Sequence, residues 1–299
     1  MPSTTLPKPP IEPMLAKIAD ALPEESGFQF EPKWDGFRAL VFRTQDALTL
    51  QSRDLKPLNR YFPELEETLR AALPPGCILD GEIVIETPTG LDFDALQQRL
   101  HPAPSRVARL SAQTPASFVA FDLLAVDGRS TMALSQAERR RRLERLLAHA
   151  APPLRLTPAT HDRAEAQRWL AQFEGAGLDG VVAKLDAAAY QPGKRAMLKI
   201  KHARSADCVV AGFRWYKDTT DAVGSLLLGL YDDGGELRHV GVTSSFTMAR
   251  RRELLAELAP LREKGLANHP WRQAVEDDAG PGAKSRWSQG KDMRWEPLR

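Results

Sequence analysis

The sequence has few cysteines and no long apolar runs, and both absences narrow the class of protein. Its 299 residues include only Cys77 and Cys208, too few for a disulfide framework and without zinc-ligand spacing. The longest apolar runs, such as residues 118–126, are far shorter than the ~20 residues of a membrane helix. The first ten residues contain no apolar core of a secretory signal. We therefore expect a cytoplasmic protein that does not contact a membrane.

Neither sign of charge is in large excess, although the charged residues are unevenly distributed along the chain. Lys and Arg total 41 against 39 Asp and Glu, a net charge of +2. Residues 191–217 contain seven Lys/Arg and one Asp, and residues 282–299 contain five against two, so their local charges are +6 and +3. Both segments include tryptophan, which suits contacts with phosphates and bases. On charge alone, a solvated surface is the better explanation.

Apolar periodicity predicts an α+β protein with two domains. Before residue 203, strand patterns alternate with helical patterns at 63–73, 135–150 and 163–175, and Ser135 with Glu138 forms a capping box for the second. After residue 203, short strands separated by Gly/Asp turns precede a helix at 247–259. Several short strands with one helix predict a small OB-fold β-barrel. The predicted domains are 1–203 and 204–299.

Five short motifs contain the residues best suited to chemistry. An isolated Asp-Gly pair is usually a turn, and a Lys-x-Lys strand is usually a solvated face. Together, however, the motifs supply a lysine nucleophile, carboxylates for Mg²⁺ and cations for phosphates, which phosphoryl chemistry requires. We expect Arg53 to end a strand that pairs with the strand of Lys33. The motifs are KWDG at 33–36, SRD at 52–54, DGEIV at 80–84, DGVVAK at 179–184 and LKIK at 198–201.

The order of these motifs, together with PPIEPMLA at 9–16 and FVAFDLL at 118–124, resembles the covalent nucleotidyltransferase superfamily. Within it, the sequence is similar to the small bacterial ATP-dependent DNA ligases related to those of non-homologous end joining. The resemblance implies an ATP-grasp-like nucleotidyltransferase domain, built of antiparallel sheets with flanking helices, followed by an OB-fold.

The resemblance also implies a role for each matching residue. Lys33 would attack the α-phosphorus of ATP, and its AMP would pass to the 5′-phosphate of a nick before the 3′-hydroxyl displaces it. Lys199 and Lys201 would assist catalysis at the phosphates. Glu82 and Asp179 would hold Mg²⁺ or Mn²⁺, with Asp179 standing where many relatives have Glu. The nucleotide-binding residues implied are Glu31, Arg38, Arg53, Glu82, Phe121, Lys199 and Lys201.

The same resemblance implies partners and leaves alternatives open. We expect a monomer that acts on nicked double-stranded DNA, associates with the nucleoid and works beside end-joining or repair proteins. RNA ligases and capping guanylyltransferases share the Lys-x-Asp-Gly nucleophile, and a nucleotide- or DNA-binding module without catalysis is a further alternative. Relatives continue past the position of Arg299 into a basic motif VI that closes over ATP. We therefore expect an incomplete barrel and weakened self-adenylation.

Overall fold

Two compact units, Met1–Ala203 and Arg204–Arg299, make up the chain in this computed structural model. Part of the predicted helix at 163–175 and most of the basic tail lie outside the described residues. No helix within the described ranges is long and apolar enough to cross a membrane. The structure describes residues 6–88, 90–172, 178–201, 205–217, 219–263, 265, 269–272 and 294–299.

The first sheet of the first unit contains β1 (Leu15–Ile18), β2 (Phe28–Trp34), β11 (Leu178–Leu185) and β12 (Arg195–Ile200). Their spatial order is β1-β12-β11-β2. β1 pairs with β12 in parallel, whereas the other two pairs are antiparallel. The sheet therefore places three of the sequence motifs side by side, because β2, β11 and β12 carry KWDG, DGVVAK and LKIK.

The second sheet contains β3 (Phe37–Arg43), β4 (Leu48–Ser52), β5 (Cys77–Val84), β8 (Ser117–Val126), β9 (Arg129–Ser130) and β10 (Leu154–Leu156). Its order is β10-β8-β5-β3-β4, with β9 paired to β8, and only the β10–β8 pair is parallel. A separate hairpin joins β6 (Glu86–Thr87) to β7 (Gly90–Leu91).

The predicted pairing of the Arg53 strand with the Lys33 strand was wrong. β4, which ends just before Arg53, pairs with β3 in the second sheet, whereas Lys33 lies on β2 in the first. The turn at Asp35-Gly36 carries the chain from one sheet to the other. A Cβ at Gly36 would collide with the carbonyl oxygen of Ile83, so the crossing requires glycine. The KWDG and SRD motifs therefore face each other from two different sheets.

Within the described part of this unit, five helices flank the two sheets. The predicted helix starts are confirmed at Pro63 and at Gln136, where the Ser135 hydroxyl accepts a hydrogen bond from the Glu138 N–H at 3.3 Å. The helices are α1 (Pro63–Ala72), α2 (Phe93–Gln98), α3 (Pro104–Gln113), α4 (Gln136–Leu146) and α5 (Arg163–Gln172), with a 3₁₀ turn at Asn59–Tyr61.

Three apolar clusters hold these layers together. One packs α1, α2 and α4 against the second sheet, and one packs α5 against the first. The third lies between the sheets and includes Met14, Leu40, Tyr190 and Met197. Antiparallel sheets with flanking helices confirm the predicted fold class for this unit. The sheets also form the walls of the cavity described below.

The described residues of the second unit form an antiparallel sheet with a helix on one face. β13 (Val209–Trp215), β14 (Val223–Tyr231), β15 (Leu237–Thr243) and β16 (Glu296–Pro297) lie in the order β15-β14-β13-β16. α6 (Met248–Arg262) packs Leu254 and Leu258 against the sheet, and Trp271 and Trp295 pack on another cluster with Leu227. The predicted short strands and the helix after them are confirmed, and the OB-fold identity stays a prediction.

Candidate active site

A cavity of about 190 Å³ in the first unit is lined from both sheets. It collects seven of the nine predicted site residues. The two others, Asp179 and Lys201, do not line it, although Asp179 contacts Lys33. The seven are Glu31, Lys33, Arg38, Arg53, Glu82, Phe121 and Lys199.

Strand alternation explains which side chains of β12 enter the cavity. Arg195, Met197 and Lys199 line it, because side chains at i, i+2 and i+4 share one face of a strand. Leu198 and Ile200 face the opposite side and pack with α5. Arg195 was missed from the sequence, although the same alternation, extended two residues toward the N-terminus from Met197, identifies it.

Lys33 is held by a carboxylate that it shares with a second lysine. The Lys33 Nζ lies 2.7 Å from Asp179 Oδ2, and the Lys201 Nζ lies 2.5 Å from the same oxygen. Burial acts to raise the pKa of Asp179, but hydrogen bonds from Lys201 and Lys33 outweigh it and hold this pKa below its usual value. Gly180 has φ +129°, and a Cβ there would collide with the Ile200 carbonyl. Glycine thus lets the ends of β11 and β12 approach closely.

Deeper in the cavity, Glu31 forms a buried ion pair with Lys184. Their charged atoms are 2.7 Å apart and both side chains are only 3% exposed. The Lys184 Nζ also donates to the Phe121 carbonyl at 2.8 Å, and the Gln29 amide donates to Glu31 at 2.6 Å. Burial raises the pKa of Glu31, although Lys184 and Arg140 oppose the shift. Sequence reasoning placed Glu31 here but missed Lys184, whose position at the end of DGVVAK was the available signal.

Arg38 is fixed by a second buried carboxylate, which the sequence analysis also missed. Its Nε and Nη2 each donate to Asp80 at 2.6 Å, and Nη2 also donates to the Met14 carbonyl at 3.1 Å. Such a bidentate pair determines the plane of the guanidinium. The Arg38 Cζ lies 4.7 Å from the centre of the Phe121 ring. The aromatic ring and the guanidinium therefore form one continuous wall.

Of the carboxylates that line the cavity, Glu82 has its burial least offset by nearby positive charge. Burial raises its pKa to about 8, even though Arg38 and Lys33 act to lower it. Magnesium binds proteins through one or two carboxylates together with substrate phosphates. Glu82 fits that role, because a bound cation would offset the cost of burying its charge. Asp179 offers a second carboxylate, which lies beside Lys33. Within the described ranges, no three His, Cys, Asp or Glu side chains gather as a ready metal cage.

Positive charge is in surplus around Lys199. Burial lowers the pKa of Lys199, and Lys201, Lys33, Arg195 and Arg53 lower it further. Among the described residues, neither Lys199 nor the two arginines make an ion pair, whereas Lys33 and Lys201 share Asp179. A cluster of unpaired cations beside a nucleophilic lysine suits a polyphosphate.

The geometry agrees with the comparison to known families. The family model "ATP dependent DNA ligase domain" matches residues 13–201, and "ATP dependent DNA ligase C terminal region" matches residues 219–295. The chain belongs to the ATP-dependent DNA ligase family. The predicted resemblance is confirmed, and membership favours DNA ligation over RNA ligation, capping or a binding module without catalysis.

Similar ligases are found in mycobacteria. DNA ligase C2 of Mycolicibacterium smegmatis is 52% identical over 297 residues, which cover 97% of this chain and 83% of the relative. DNA ligase C of Mycobacterium tuberculosis is 52% identical over 299 residues with the same coverage. Among solved structures, mycobacterial DNA ligase D complexed with ATP and MES has 28% identity and a TM-score of 0.53, covering 97% of this chain and 86% of its own. The ligase domain of M. tuberculosis LigD has 31% identity and a TM-score of 0.52, covering 84% of this chain and 78% of its own.

Proposed function

We propose that this ligase seals nicks in double-stranded DNA through an AMP carried on Lys33. The observation that supports the proposal is the position of Lys33, which lines the cavity next to the unpaired cations Lys199, Arg53 and Arg195. The Lys33 amine attacks the α-phosphorus of ATP and pyrophosphate leaves. The AMP then moves to the 5′-phosphate of the nick, and the 3′-hydroxyl displaces it. Covalent catalysis divides one difficult displacement into these steps.

Asp179 aims the nucleophile and balances charge during the attack. Lys33 must lose a proton before its lone pair can attack phosphorus. Because Asp179 also binds Lys201, its negative charge stays neutralised when Lys33 becomes a neutral amine. The shared carboxylate therefore keeps its position on β11 throughout the step.

The buried ion pairs define the nucleoside part of the cavity. Glu31 lies toward the base, and the half-buried Phe121 ring offers a stacking surface for adenine. Arg38 contacts the nucleotide, since Asp80 orients its guanidinium beside that ring. Lys199, Lys201, Arg53 and, in addition to the sequence-derived set, Arg195 contact phosphates of ATP or of the nick.

Glu82 and Asp179 are the residues that would hold Mg²⁺ or Mn²⁺. Such an ion supplies positive charge to the phosphates when it is bound. Glu82 lies opposite Arg38 on the neighbouring strand. It therefore borders the nucleotide site whether or not a metal ion is bound.

The two units have different roles in this proposal. Residues 1–203 form the adenylation domain, and residues 204–299 form an OB-fold domain that contacts the duplex. Binding is directed at the DNA backbone, because a ligase accepts any flanking sequence, and it weakens steeply with salt. A relative named "Multifunctional non-homologous end joining protein LigD", 33% identical over 241 residues, supports an end-joining or repair setting. We further propose a monomer that works on the nucleoid in the cytoplasm.

Incubation with labelled ATP and Mg²⁺ tests the nucleophile. The intact chain should retain label after denaturation, and Lys33→Ala should retain none. Lys17→Ala, an exposed lysine on β1, is the matched control and should label normally. Label retained by Lys33→Ala would refute the role of Lys33, and sealing of nicked RNA in preference to nicked DNA would favour an RNA ligase.

A further inference from the structure

Tyr190 is buried between the two sheets and is not used by the proposed chemistry. Its hydroxyl donates to Asp80 Oδ2 at 2.7 Å and accepts the backbone N–H of Met14 at 2.9 Å. The same two residues hold Arg38, whose Nη2 donates to Asp80 Oδ2 and to the Met14 carbonyl oxygen. One phenolic oxygen therefore binds both residues that anchor this cavity arginine, Asp80 through its carboxylate and Met14 through its N–H.

We propose that Tyr190 is a positioning residue, which fixes the Arg38 guanidinium for the nucleotide by holding the Asp80 side chain and the Met14 backbone together. The inference rests on the proposed role of Arg38 in binding the nucleotide. Tyr190 is not among the residues that line the cavity, so its hydroxyl acts through Asp80 and Met14. This positioning role also gives a function to the PPIEPMLA segment, which takes no part in the proposed chemistry.

The segment before β1 is held at both ends. The Ile11 N–H donates to the Gln51 side chain at 3.0 Å, and the Gln51 amide donates back to the Ile11 carbonyl at 2.7 Å. Three residues later, Met14 binds Tyr190 and Arg38. Leu15 and Ala16 then line the cavity. The segment thus braces one wall of the nucleotide site from outside the sheet.

The hydroxyl is suited to a permanent structural bond. Burial raises the pKa of Tyr190 well above its usual value, and the negative charge of Asp80 raises it further. The phenol therefore stays protonated and donates to Asp80 at any working pH. Ordinary core packing accounts for the ring, which belongs to the apolar cluster between the sheets and whose centroid lies 5.7 Å from the Arg139 Cζ. That packing does not require a hydroxyl. Removing the hydroxyl would leave the buried Met14 N–H without this acceptor and Asp80 without one of its donors.

A double-mutant cycle between Tyr190→Phe and Arg38→Ala tests the inference. Tyr190→Phe keeps the ring and removes both hydrogen bonds. We expect the KM for ATP in Lys33 labelling to rise about tenfold, with the maximal rate changed much less. In the Arg38→Ala background the same change should have no further effect, because its target is gone. Tyr61→Phe, on a tyrosine outside the cavity, is the matched control.

Calorimetric titration with ATP in the presence of a chelator, which prevents labelling of Lys33, provides a second reading that does not depend on catalysis. The Kd should rise about tenfold in Tyr190→Phe and stay unchanged in Tyr61→Phe. Equal effects of Tyr190→Phe with and without Arg38 would overturn the inference, since they would indicate general loosening of the core. A wild-type protein that binds ATP but never labels Lys33 would refute the proposed function, and the Kd values would still decide the role of Tyr190.

A second variant covers the case in which Tyr190→Phe does not fold. Asp80→Asn preserves the shape of the side chain while weakening its link to Arg38. We expect the same rise in the KM and Kd for ATP, and the same loss of effect in the Arg38→Ala background. An unchanged ATP affinity in folded Asp80→Asn would show that the network does not position Arg38, and would overturn the inference.

Discussion

Two groups of ion pairs serve one cavity, and they differ in burial. Lys184 and Glu31 are each 3% exposed, and Asp80, the partner of Arg38, is fully buried. By contrast, Lys33, Asp179 and Lys201 are between 21% and 37% exposed. The first group has fixed geometry, because a buried charge cannot leave its partner without a large penalty. The second group can exchange partners when phosphates arrive.

The difference separates residues that maintain the site from residues that carry out the reaction. Pairs in the buried group should affect stability and activity together, since they hold the walls of the nucleotide site. Residues of the exposed group should affect activity alone, because half-exposed ion pairs contribute little to stability. Changes at Lys184 and Asp179 test that separation, and changes at Lys199 and Glu82 extend it to cavity residues outside both groups.

The largest expected effect on stability is at Lys184. Lys184→Met leaves Glu31 buried without its main partner, and we expect the free energy of unfolding to fall by about 3 kcal/mol. Urea denaturation followed by circular dichroism measures it. Lys201→Met is the matched control in the exposed group and should cost about 0.5 kcal/mol. Similar losses of stability in both variants would contradict the distinction between the buried and the exposed ion pairs.

The largest expected effect on rate without loss of stability is at Lys199. Lys199→Ala removes an unpaired cation beside the proposed α-phosphate, so we expect Lys33 adenylation to slow about a hundredfold. Quenched-flow labelling measures the rate, and a thermal melt should show an unchanged midpoint. Lys194→Ala, an exposed lysine just before β12, should keep the wild-type rate. A slow Lys194→Ala enzyme would point to general electrostatics instead.

Glu82 predicts a pH dependence of stability in the nucleotide-free protein. Its pKa is raised to about 8 when folded, above the ordinary value of 4.5. The folded state then binds the extra proton, so this contribution to stability is complete below about pH 4.5 and is lost as pH rises through about 8. Urea denaturation across that range, with chelator present, should show stability falling more in the wild type than in Glu82→Gln. Glu67→Gln, an exposed change on α1, should follow the wild type.

The smallest expected effect is at Asp179. Asp179→Glu keeps the charge and adds one methylene at a half-exposed site. The rate of adenylation should change by about fivefold at most, because an exposed ion pair is worth up to about 1 kcal/mol. Asp179→Asn removes the shared charge and should slow the reaction more. Equal rates for Glu and Asn at this position would show that the carboxylate does not aim Lys33.

The sequence predicted the exposed group better than the buried one. Lys33, Asp179, Lys199 and Lys201 all lie within ordered motifs, and of these Lys33 and Lys199 line the cavity. The fold class, α1, α4 and α6 followed from periodicity and caps, which are local signals. The residues missed were Asp80, Lys184, Tyr190 and Arg195.

The missed residues depend on tertiary contacts. Asp80 and Tyr190 are 110 positions apart, and their bond forms only when the two sheets pack against each other. The wrong strand partner of Lys33 has a similar cause, since nothing local shows that a two-residue turn carries the chain into another sheet. Periodicity reports which face a side chain occupies but not what that face meets.

Peptide mapping of the adenylated protein tests the central claim most directly. The protein is incubated with ATP and Mg²⁺, digested at alkaline pH to preserve the phosphoramidate, and analysed by tandem mass spectrometry. The account predicts one AMP, attached to the Nζ of Lys33 in the peptide containing EPKWDGFR. AMP on Lys199, Lys201 or Lys184 in place of Lys33, or no covalent AMP on any lysine, would contradict it.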